Sequence, residues 1–353
     1  MNASVKITKI TVFVRTGFLA LAIGAFLSGR AAAVVSIDNT STTTTDPAVS
    51  YDSTFLNWND VGTISTGTSV SGGGVYLRNG WVLAPQHIGT PAGFYFNGID
   101  YPVDTSVSAI PIVNNPGPGQ TAADLILYKV NTASLPALAT VNLTSATPAV
   151  GTNVLMMGFG YSRQAAESYF DTSGNATSTP PAGSYREGYV WASASNFKRW
   201  GTNIISNNTT TVNDGTGTFP SLITTFTDPN TAVSSHANDP GGAATTYEAA
   251  ASPGDSGGGV FVKSGSSWLL AGLIHAIDPY PSSTNDTASA FYNANAPFSD
   301  SLTSENYSAR TYISDLSQYA SQINADTVPE PSSVMLLALP AAFGLLSRRK
   351  SRR

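Results

Sequence analysis

The hydrophobic pattern of the chain consists of short apolar runs separated by turn residues. From Tyr51 onward, runs of four to seven residues rich in Val, Leu and Ile alternate with Gly, Asn, Ser and Pro. Runs of this length, bounded by turn formers, are typical of β-strands. The predicted strands cover residues 74–77, 81–84, 125–130, 154–157, 259–262 and 268–274. The pattern therefore predicts an all-β body.

Two segments depart from this pattern. Near the end of the body, large apolar residues recur at spacings of 4, 3 and 4, which is the spacing of one helix face. These residues are Tyr312, Leu316, Tyr319 and Ile323. They predict a terminal helix over about residues 308–323. The stretch from about 161 to 248 is polar and rich in Thr, Asn and Gly, so we expect long loops there.

The N-terminus has the pattern of an export signal over residues 1–33. Basic residues precede an apolar run at 18–27, and three alanines ending at Ala33 supply small residues for cleavage by signal peptidase. The run is shorter than the roughly 20 residues that span a bilayer, which disfavours a membrane anchor. Cleavage would leave Val34 as the new N-terminus. The following Ser/Thr-rich stretch, 34–50, has no apolar period and is predicted to be a loose arm.

The C-terminal tail, 324–353, has a more specific pattern. The sequence Val-Pro-Glu-Pro at 328–331 precedes an apolar run at 334–346 and a basic cluster at 348–353. This order resembles the PEP-CTERM sorting signal of exopolysaccharide-producing bacteria. The resemblance implies transient membrane contact, cleavage by an exosortase-type enzyme, and delivery to the cell surface or matrix of a Gram-negative-type bacterium. An ordinary tail anchor is the alternative, but the apolar run is short for one.

Composition narrows the possible functions. Charged residues make up 11% of the chain, against about 25% in ordinary soluble domains. Nine of the 17 bases lie in the two end segments, so 34–330 holds 8 bases against all 22 acids, a net charge of −14. Such an acidic body repels phosphate backbones, which argues against nucleic-acid binding. The absence of Cys excludes disulfides, thiolate metal sites and a cysteine nucleophile.

Three short stretches carry candidate chemistry. Ser256 lies in the glycine-rich sequence 254–259, where backbone N–H groups on a turn would stabilise an oxyanion. His87 follows an apolar strand, and a serine nucleophile needs an adjacent base of this kind. Asp124 precedes an apolar strand, from which a carboxylate would orient an imidazole. Taken singly, each has a plain structural alternative: a glycine-rich turn, a structural histidine, or a strand-start aspartate.

Together the three stretches resemble the trypsin-like serine peptidases, with His87, Asp124 and Ser256 in the order of that family. The resemblance covers about residues 51–323. It implies the chymotrypsin fold: all-β, with two six-stranded antiparallel β-barrels and a C-terminal helix. Barrel one would span about 51–150 and barrel two about 151–305.

The glycine-flanked serine also fits the nucleophile elbow of the α/β-hydrolases. That fold places its acid and its histidine after the serine and alternates strands with helices. Here only His275 follows Ser256, and the body lacks alternating helices. We therefore reject that interpretation.

The resemblance assigns roles to individual residues. Ser256 would attack a peptide carbonyl, His87 would act as base and then acid, and Asp124 would fix the imidazole tautomer. The N–H groups of Gly254 and Ser256 would form the oxyanion hole, and no metal or organic cofactor is needed. Asp255 would pair with a freed α-amino group, for which Val34 is a candidate.

Substrate preference follows from the same alignment. Ala250 would lie at the floor of the specificity pocket, where an aspartate would select Lys or Arg, and Ile277 would narrow its wall. We therefore predict small or medium apolar residues before the scissile bond, unless the nearby Glu248 occupies that position. His275 would be structural or line the substrate.

The sequence thus predicts a secreted, surface-sorted serine endopeptidase acting on polypeptides. The alternative is a catalytically silent trypsin-fold protein that binds components of the extracellular matrix.

Overall fold

The computed structural model describes most of the body of the chain. The described residues are 4–6, 34–36, 41–66, 69–131, 138–170, 176–182, 185–194, 197–226, 245–277, 289–295 and 310–328. The predicted export signal and sorting tail lie almost wholly outside them.

Strands dominate the described residues, which confirms the predicted all-β class. The strands of the first half of the chain, up to residue 129, are β1 (Ser4–Lys6), β2 (Val35–Ser36), β3 (Val61–Thr66), β4 (Ser69–Arg78), β5 (Trp81–Pro85), β6 (Gly93–Phe96), β7 (Ile99–Pro102), β8 (Ile110–Asn114) and β9 (Thr121–Lys129). The second half begins with β10 (Asn153–Gly158), β11 (Tyr161–Arg163), β12 (Ser168–Phe170), β13 (Ala176–Thr177), β14 (Tyr185–Ala194), β15 (Arg199–Asn213) and β16 (Thr218–Thr225). It ends with β17 (Ala249–Ala250), β18 (Gly259–Ser264), β19 (Ser267–Ile277), β20 (Ser289–Asn295) and β21 (Arg310–Ser314). The helices are α1 (Pro47–Ser50) and α2 (Ala320–Thr327).

The second half contains a closed barrel. Six antiparallel strands follow the order β15-β10-β18-β19-β21-β16, and pairing of β15 with β16 closes the ring. The short β1 adds in parallel to β15. A six-stranded antiparallel barrel is the form predicted for this half.

The first half is a seven-stranded antiparallel sheet, ordered β7-β6-β3-β4-β5-β9-β8. Its ladder does not close as a six-stranded barrel within the described residues. The chain after β7 nevertheless bonds to the end of β9, because Asp104 N–H donates to Lys129 O at 2.8 Å and Asn131 N–H donates to Pro102 O at 2.9 Å. The sheet therefore curls until the edge strand β7 meets the end of β9, the neighbour of the other edge strand β8.

A shared apolar core joins the two halves. Val61, Leu83 and Leu125 of the first sheet lie in one buried cluster with Leu155 and Phe261 of the barrel. Burying these side chains contributes roughly 1.5–3 kcal/mol each. The two halves thus face each other over one core, and loops from both meet at its edge. Across the described residues, no helix has the length and apolar content needed to cross a membrane.

The polar stretch at 161–248 is not a set of long loops where it is described, so that prediction is wrong. It contains the ten-residue β14 and the fifteen-residue β15. Thr and other β-branched residues suit a pleated surface even where the segment is polar. Pairing with barrel neighbours then buries the first half of β15.

The predicted terminal helix at 308–323 is also corrected. Arg310–Ser314 forms the barrel strand β21, and only after a short 3-10 turn does α2 begin at Ala320. Tyr312, the first residue of the predicted face, is buried because its strand lies between β16 and β19. The four residues of the predicted face are all buried, but they belong to a strand, a turn and a helix in succession and not to one helix.

The described part of the Ser/Thr-rich arm is packed against the body. Val35–Ser36 pair with Ala249–Ala250, and Thr43 is fully buried. Trp200 Nε1–H donates to Thr45 O at 2.8 Å. Backbone hydrogen bonds and burial of small side chains order this polar segment, which apolar periodicity cannot reveal.

Candidate active site

His87 and Asp124 meet at the edge of the first sheet. His87 lies in a 3-10 turn directly after β5, and β5 pairs with β9, which carries Asp124. The His87 backbone N–H donates to Asp124 Oδ1 at 2.8 Å, and His87 Nδ1 donates to Oδ2 at 2.6 Å. Asp124 is fully buried with φ +52. This left-handed backbone, which aspartate tolerates better than most residues, aims its carboxylate at the imidazole.

A second imidazole reaches the same carboxylate. His275 on β19 donates from Nδ1 to Asp124 Oδ2 at 3.0 Å, and its side chain is completely buried. Its ring packs against Phe219 with centroids 4.3 Å apart. His275 therefore holds Asp124 from the barrel strand β19. A substrate-lining role, one of its two predicted alternatives, does not fit this burial.

Asp214 is a site residue that the sequence reasoning missed. It lies in the turn between β15 and β16, where its Oδ1 accepts the N–H groups of Thr216 at 2.8 Å and Gly217 at 2.9 Å. Its Oδ2 lies 3.6 Å from His87 Nδ1. An Asp-Gly pair between β-branched residues is a recognised hairpin signal and could have revealed the turn, but not its position beside His87.

The charges of this cluster shift its acid–base behaviour. Burial alone would lower the pKa of His87, but the hydrogen bond to Asp124 and the negative charges of Asp124 and Asp214 outweigh burial and raise that pKa to about 9. For Asp124, burial acts in the opposite direction and alone would raise the pKa of the carboxyl group. The hydrogen bonds from His275 and His87 outweigh this and hold the pKa of Asp124 well below its usual range.

Ser256 lies in the turn between β17 and β18, next to His275 of β19. Its backbone carbonyl accepts the N–H of Gly73 on β4 at 2.6 Å, which ties the serine turn to the first sheet. Its Oγ donates to the carbonyl oxygen of His275 at 3.4 Å. Among the described residues, the hydroxyl has no hydrogen bond to the imidazole of His87. The serine turn is thus bonded to the first sheet, and the serine hydroxyl is directed toward β19.

Glycine is required directly after the serine. Gly257 has φ +85, and a Cβ there would lie 1.9 Å from Gly73 O. Gly254 also has a positive φ, +91. Within the described part of the chain, the N–H groups of Gly254 and Ser256 enter no hydrogen bond with backbone or side chain. They are therefore free to donate to a ligand oxygen in this turn.

Asp255 points away from the cleft into a buried cage. Its Oδ1 accepts Gly160 N–H at 2.7 Å, and its Oδ2 accepts both the N–H and the hydroxyl of Ser252 at 2.8 Å. Burial raises the pKa of Asp255 to about 6, against the lowering effect of these bonds and one from the backbone N–H of Val34. The structure therefore brings the backbone N–H of Val34 to Asp255, whereas the pairing of Asp255 with a freed α-amino group stays a prediction. The glycines at 158 and 160 leave the room that this carboxylate occupies.

Two of the predicted specificity residues, Ala250 and Ile277, lie together in one apolar cluster. Ala250 is buried in a cluster with Val35, Trp191 and Phe226, and Ile277 packs against that cluster. The carboxylate of Glu248, the possible competitor for this position, accepts the N–H and the hydroxyl of Thr245 at 2.9 and 2.8 Å.

His87, Asp124, Asp214 and His275 also offer the donor types of a divalent-metal site, with one ligand atom each within 4.8 Å of the others. Both imidazole Nδ1 atoms, however, are engaged in hydrogen bonds to Asp124. Each of these Nδ1 atoms therefore already has a partner within the protein.

Comparison with known proteins identifies one segment of the chain. Residues 327–353 match the PEP-CTERM protein-sorting motif. The predicted sorting signal is therefore confirmed, and the motif indicates export, processing by an exosortase-type enzyme and association with the cell surface. None of the curated proteins matches the chain.

Solved structures similar to the chain include two mammalian proteins. Human heparin binding protein is 11% identical, with a TM-score of 0.44 over 78% of this chain and 94% of that protein. Neuropsin, a serine protease expressed in mouse brain, is 15% identical, with a TM-score of 0.40 over 77% of this chain and 96% of that protein.

Proposed function

We propose that the protein is an exported, surface-sorted serine endopeptidase. The observation that carries the proposal is the 2.6 Å hydrogen bond between His87 Nδ1 and a fully buried Asp124. This bond leaves Nε2 of His87 as the basic nitrogen. We assign Ser256 as the nucleophile, because its turn is hydrogen-bonded to the sheet that carries His87.

The chemistry runs through an acyl-enzyme. Ser256 Oγ attacks the peptide carbonyl while His87 Nε2 takes the hydroxyl proton, and Asp124 stabilises the imidazolium that forms. The N–H groups of Gly254 and Ser256 donate to the oxyanion. His87 then protonates the leaving amine, and a water molecule activated by the same imidazole hydrolyses the ester. The hydroxyl reaches His87 by rotation about χ1 of Ser256, away from the carbonyl of His275.

Substrates with small or medium apolar residues before the scissile bond fit this proposal. The cluster around Ala250 and Phe226 supports it, because it offers apolar contact and no acidic side chain for Lys or Arg. Glu248 is held by Thr245 and is buried. An uncompensated cation in such a floor would be strongly disfavoured.

One observation favours a second candidate function. Ser256 Oγ bonds to the carbonyl of His275 and not to the imidazole of His87. A protein that keeps this arrangement would be catalytically silent and would bind matrix components through the same cleft.

Labelling with a fluorophosphonate probe separates the two functions. The processed protein beginning at Val34 is exposed to the probe from about pH 7 to about pH 10, because the base must be deprotonated. We expect covalent labelling that Ser256→Ala and His87→Ala abolish. Ser264→Ala, at an exposed strand end, is the matched control and keeps labelling. Folded protein that labels at no pH would leave the silent binding protein as the better description.

A further inference from the structure

Asp214 holds a buried carboxylate oxygen without a hydrogen-bond partner. Its Oδ2 is one of the buried polar atoms in the described residues that accept no hydrogen bond, and its side chain is only 11% exposed. Leaving a carboxylate oxygen in this state is costly unless a positive charge lies nearby. The nearest such group is His87 Nδ1, at 3.6 Å.

The hairpin that carries Asp214 is fixed to the first sheet. A Cβ on Gly217 would lie 2.4 Å from Asp124 N and 2.8 Å from Ala122 O, so the hairpin tip touches the backbone of β9. Asn114 Nδ2–H donates to both Thr218 O at 2.6 Å and Ala122 O at 3.1 Å, which ties the two elements together. Asp214 therefore cannot withdraw from His87 without breaking this junction.

We propose that Asp214 is a positioning residue whose carboxylate, together with that of Asp124, stabilises the protonated form of His87 from the Nδ1 side of the ring. This inference rests on the proposed peptidase function and deepens it. The charged and titratable groups that face His87 come from three elements: Asp124 on β9, Asp214 on the β15–β16 turn, and His275 on β19 behind Asp124. Two acids against one exposed imidazole give the cluster an excess of negative charge.

The pH dependence follows from the sign of this charge. Negative charge favours the imidazolium, in agreement with the raised pKa of His87, about 9. Below that pH the imidazole is protonated and cannot act as a base. Above it, the base is free, and both carboxylates stabilise the imidazolium that forms during attack. We therefore expect a site that works at alkaline pH and is held inactive at neutral pH.

Asp214→Asn tests the charge with little change in shape. The Asn side-chain oxygen still accepts the N–H groups of Thr216 and Gly217. Asp214→Glu keeps the charge and tests rescue. Asp104→Asn is the matched control, because Asp104 is an exposed aspartate whose carboxylate likewise accepts a nearby backbone N–H.

Two readouts are measured on the full processed protein with a chelator present. NMR titration of His87, in the Ser256→Ala background, reports the protonation of the imidazole whether or not the protein is an enzyme. The pH profile of fluorophosphonate labelling reports the base in action. We expect Asp214→Asn to lower the His87 midpoint and the acid limb of labelling by about one pH unit or more, as removal of an opposite charge at this distance should. Asp104→Asn should leave both unchanged, and Asp214→Glu should restore most of the shift.

The outcomes distinguish the inference from the proposed function. A His87 midpoint at or below its ordinary value in the unmutated protein overturns the inference without any variant, as does a midpoint that is equal in Asp214→Asn and Asp104→Asn. Labelling that shows equal pH profiles in those two variants overturns the inference and leaves the peptidase in place. A midpoint shift without labelling supports the hold of Asp214 on His87 and contradicts the peptidase.

Discussion

Gly257 shows how closely the two halves of the molecule meet at the candidate nucleophile. Its positive φ alone disfavours a side chain, and the approach of Gly73 O adds a steric conflict. The two effects are separable because Gly265, in the β18–β19 turn, has φ +61 with nothing within 4 Å of a Cβ. This pair of glycines therefore isolates the cost of the close approach.

We expect Gly257→Ala to lower the free energy of unfolding by about 1–3 kcal/mol more than Gly265→Ala does. Gly265→Ala should cost about 1 kcal/mol, the penalty of a left-handed backbone alone. Urea unfolding followed by tryptophan fluorescence measures both. Gly257→Ala should also abolish fluorophosphonate labelling, because the serine turn must shift away from β4. Equal stability of the two variants would contradict the close approach.

The three residues of the candidate triad could be predicted from local sequence, whereas the residues that contact them could not. His87 follows an apolar run, Asp124 precedes one, and Ser256 lies in a glycine-rich turn. Asp214 and the contact of His275 with Asp124 depend on how β16 and β19 approach β9, which no local pattern contains. Asp255 and Val34 were linked by family resemblance, and the structure brings them together through backbone contacts.

The terminal segment is the element that ties the barrel to the first sheet. Its strand β21 belongs to the barrel, whereas α2 lies against the first sheet, where Tyr319 OH donates to Asn114 Oδ1 at 2.7 Å. Asn79 Nδ2–H donates to Thr327 O at 3.1 Å at the end of the helix. Ile323, fully buried on the inner face of α2, belongs to the core shared by both halves.

Ile323→Ala should destabilise the protein by about 2–4 kcal/mol, because it removes buried methyl groups and leaves a cavity. Ser321→Ala, on the exposed face of the same helix, should change stability by less than about 0.5 kcal/mol. Chemical denaturation measures both. Similar midpoints for the two variants would show that α2 does not stabilise the shared core.

Strands and helices could be predicted from sequence where both faces are buried, or where the apolar residues of one element follow a single period. The six apolar runs all fall in strands, because a buried strand needs a continuous apolar stretch. β15 escaped prediction because its second half is partly exposed and polar. The helix prediction failed because two elements with buried faces followed each other at a spacing of four, which mimics one helix.

For the whole molecule, the position of Val34 connects export with the state of the active site. Val34 is buried beside Gly158, and its backbone N–H reaches Asp255, the residue before the candidate nucleophile. We propose that cleavage by signal peptidase turns this N–H into a charged α-amino group. A cation there would neutralise a buried carboxylate whose pKa burial raises to about 6. The serine turn would then be held in its working conformation.

Protein beginning at Val34 should label with fluorophosphonate at least about tenfold faster than protein that retains Ala33, since one extra residue moves the charge out of the cage. Asp255→Asn should slow labelling of the Val34 form to the same degree. Asp52→Asn, at an acid that is paired with Lys263 and not with Val34, serves as the control. Equal rates for the forms that begin at Val34 and at Ala33 would exclude this activation.

The end of α2 also limits the distance between the folded body and the sorting motif that follows it. Thr327 is buried and bonded, and residue 327 is already the first residue of the matched sorting motif. The folded body therefore continues to the box itself, with no spacer between them. An enzyme that cuts at the box must work against a folded surface. A peptidase of the proposed kind, attached there, would act close to its own attachment point.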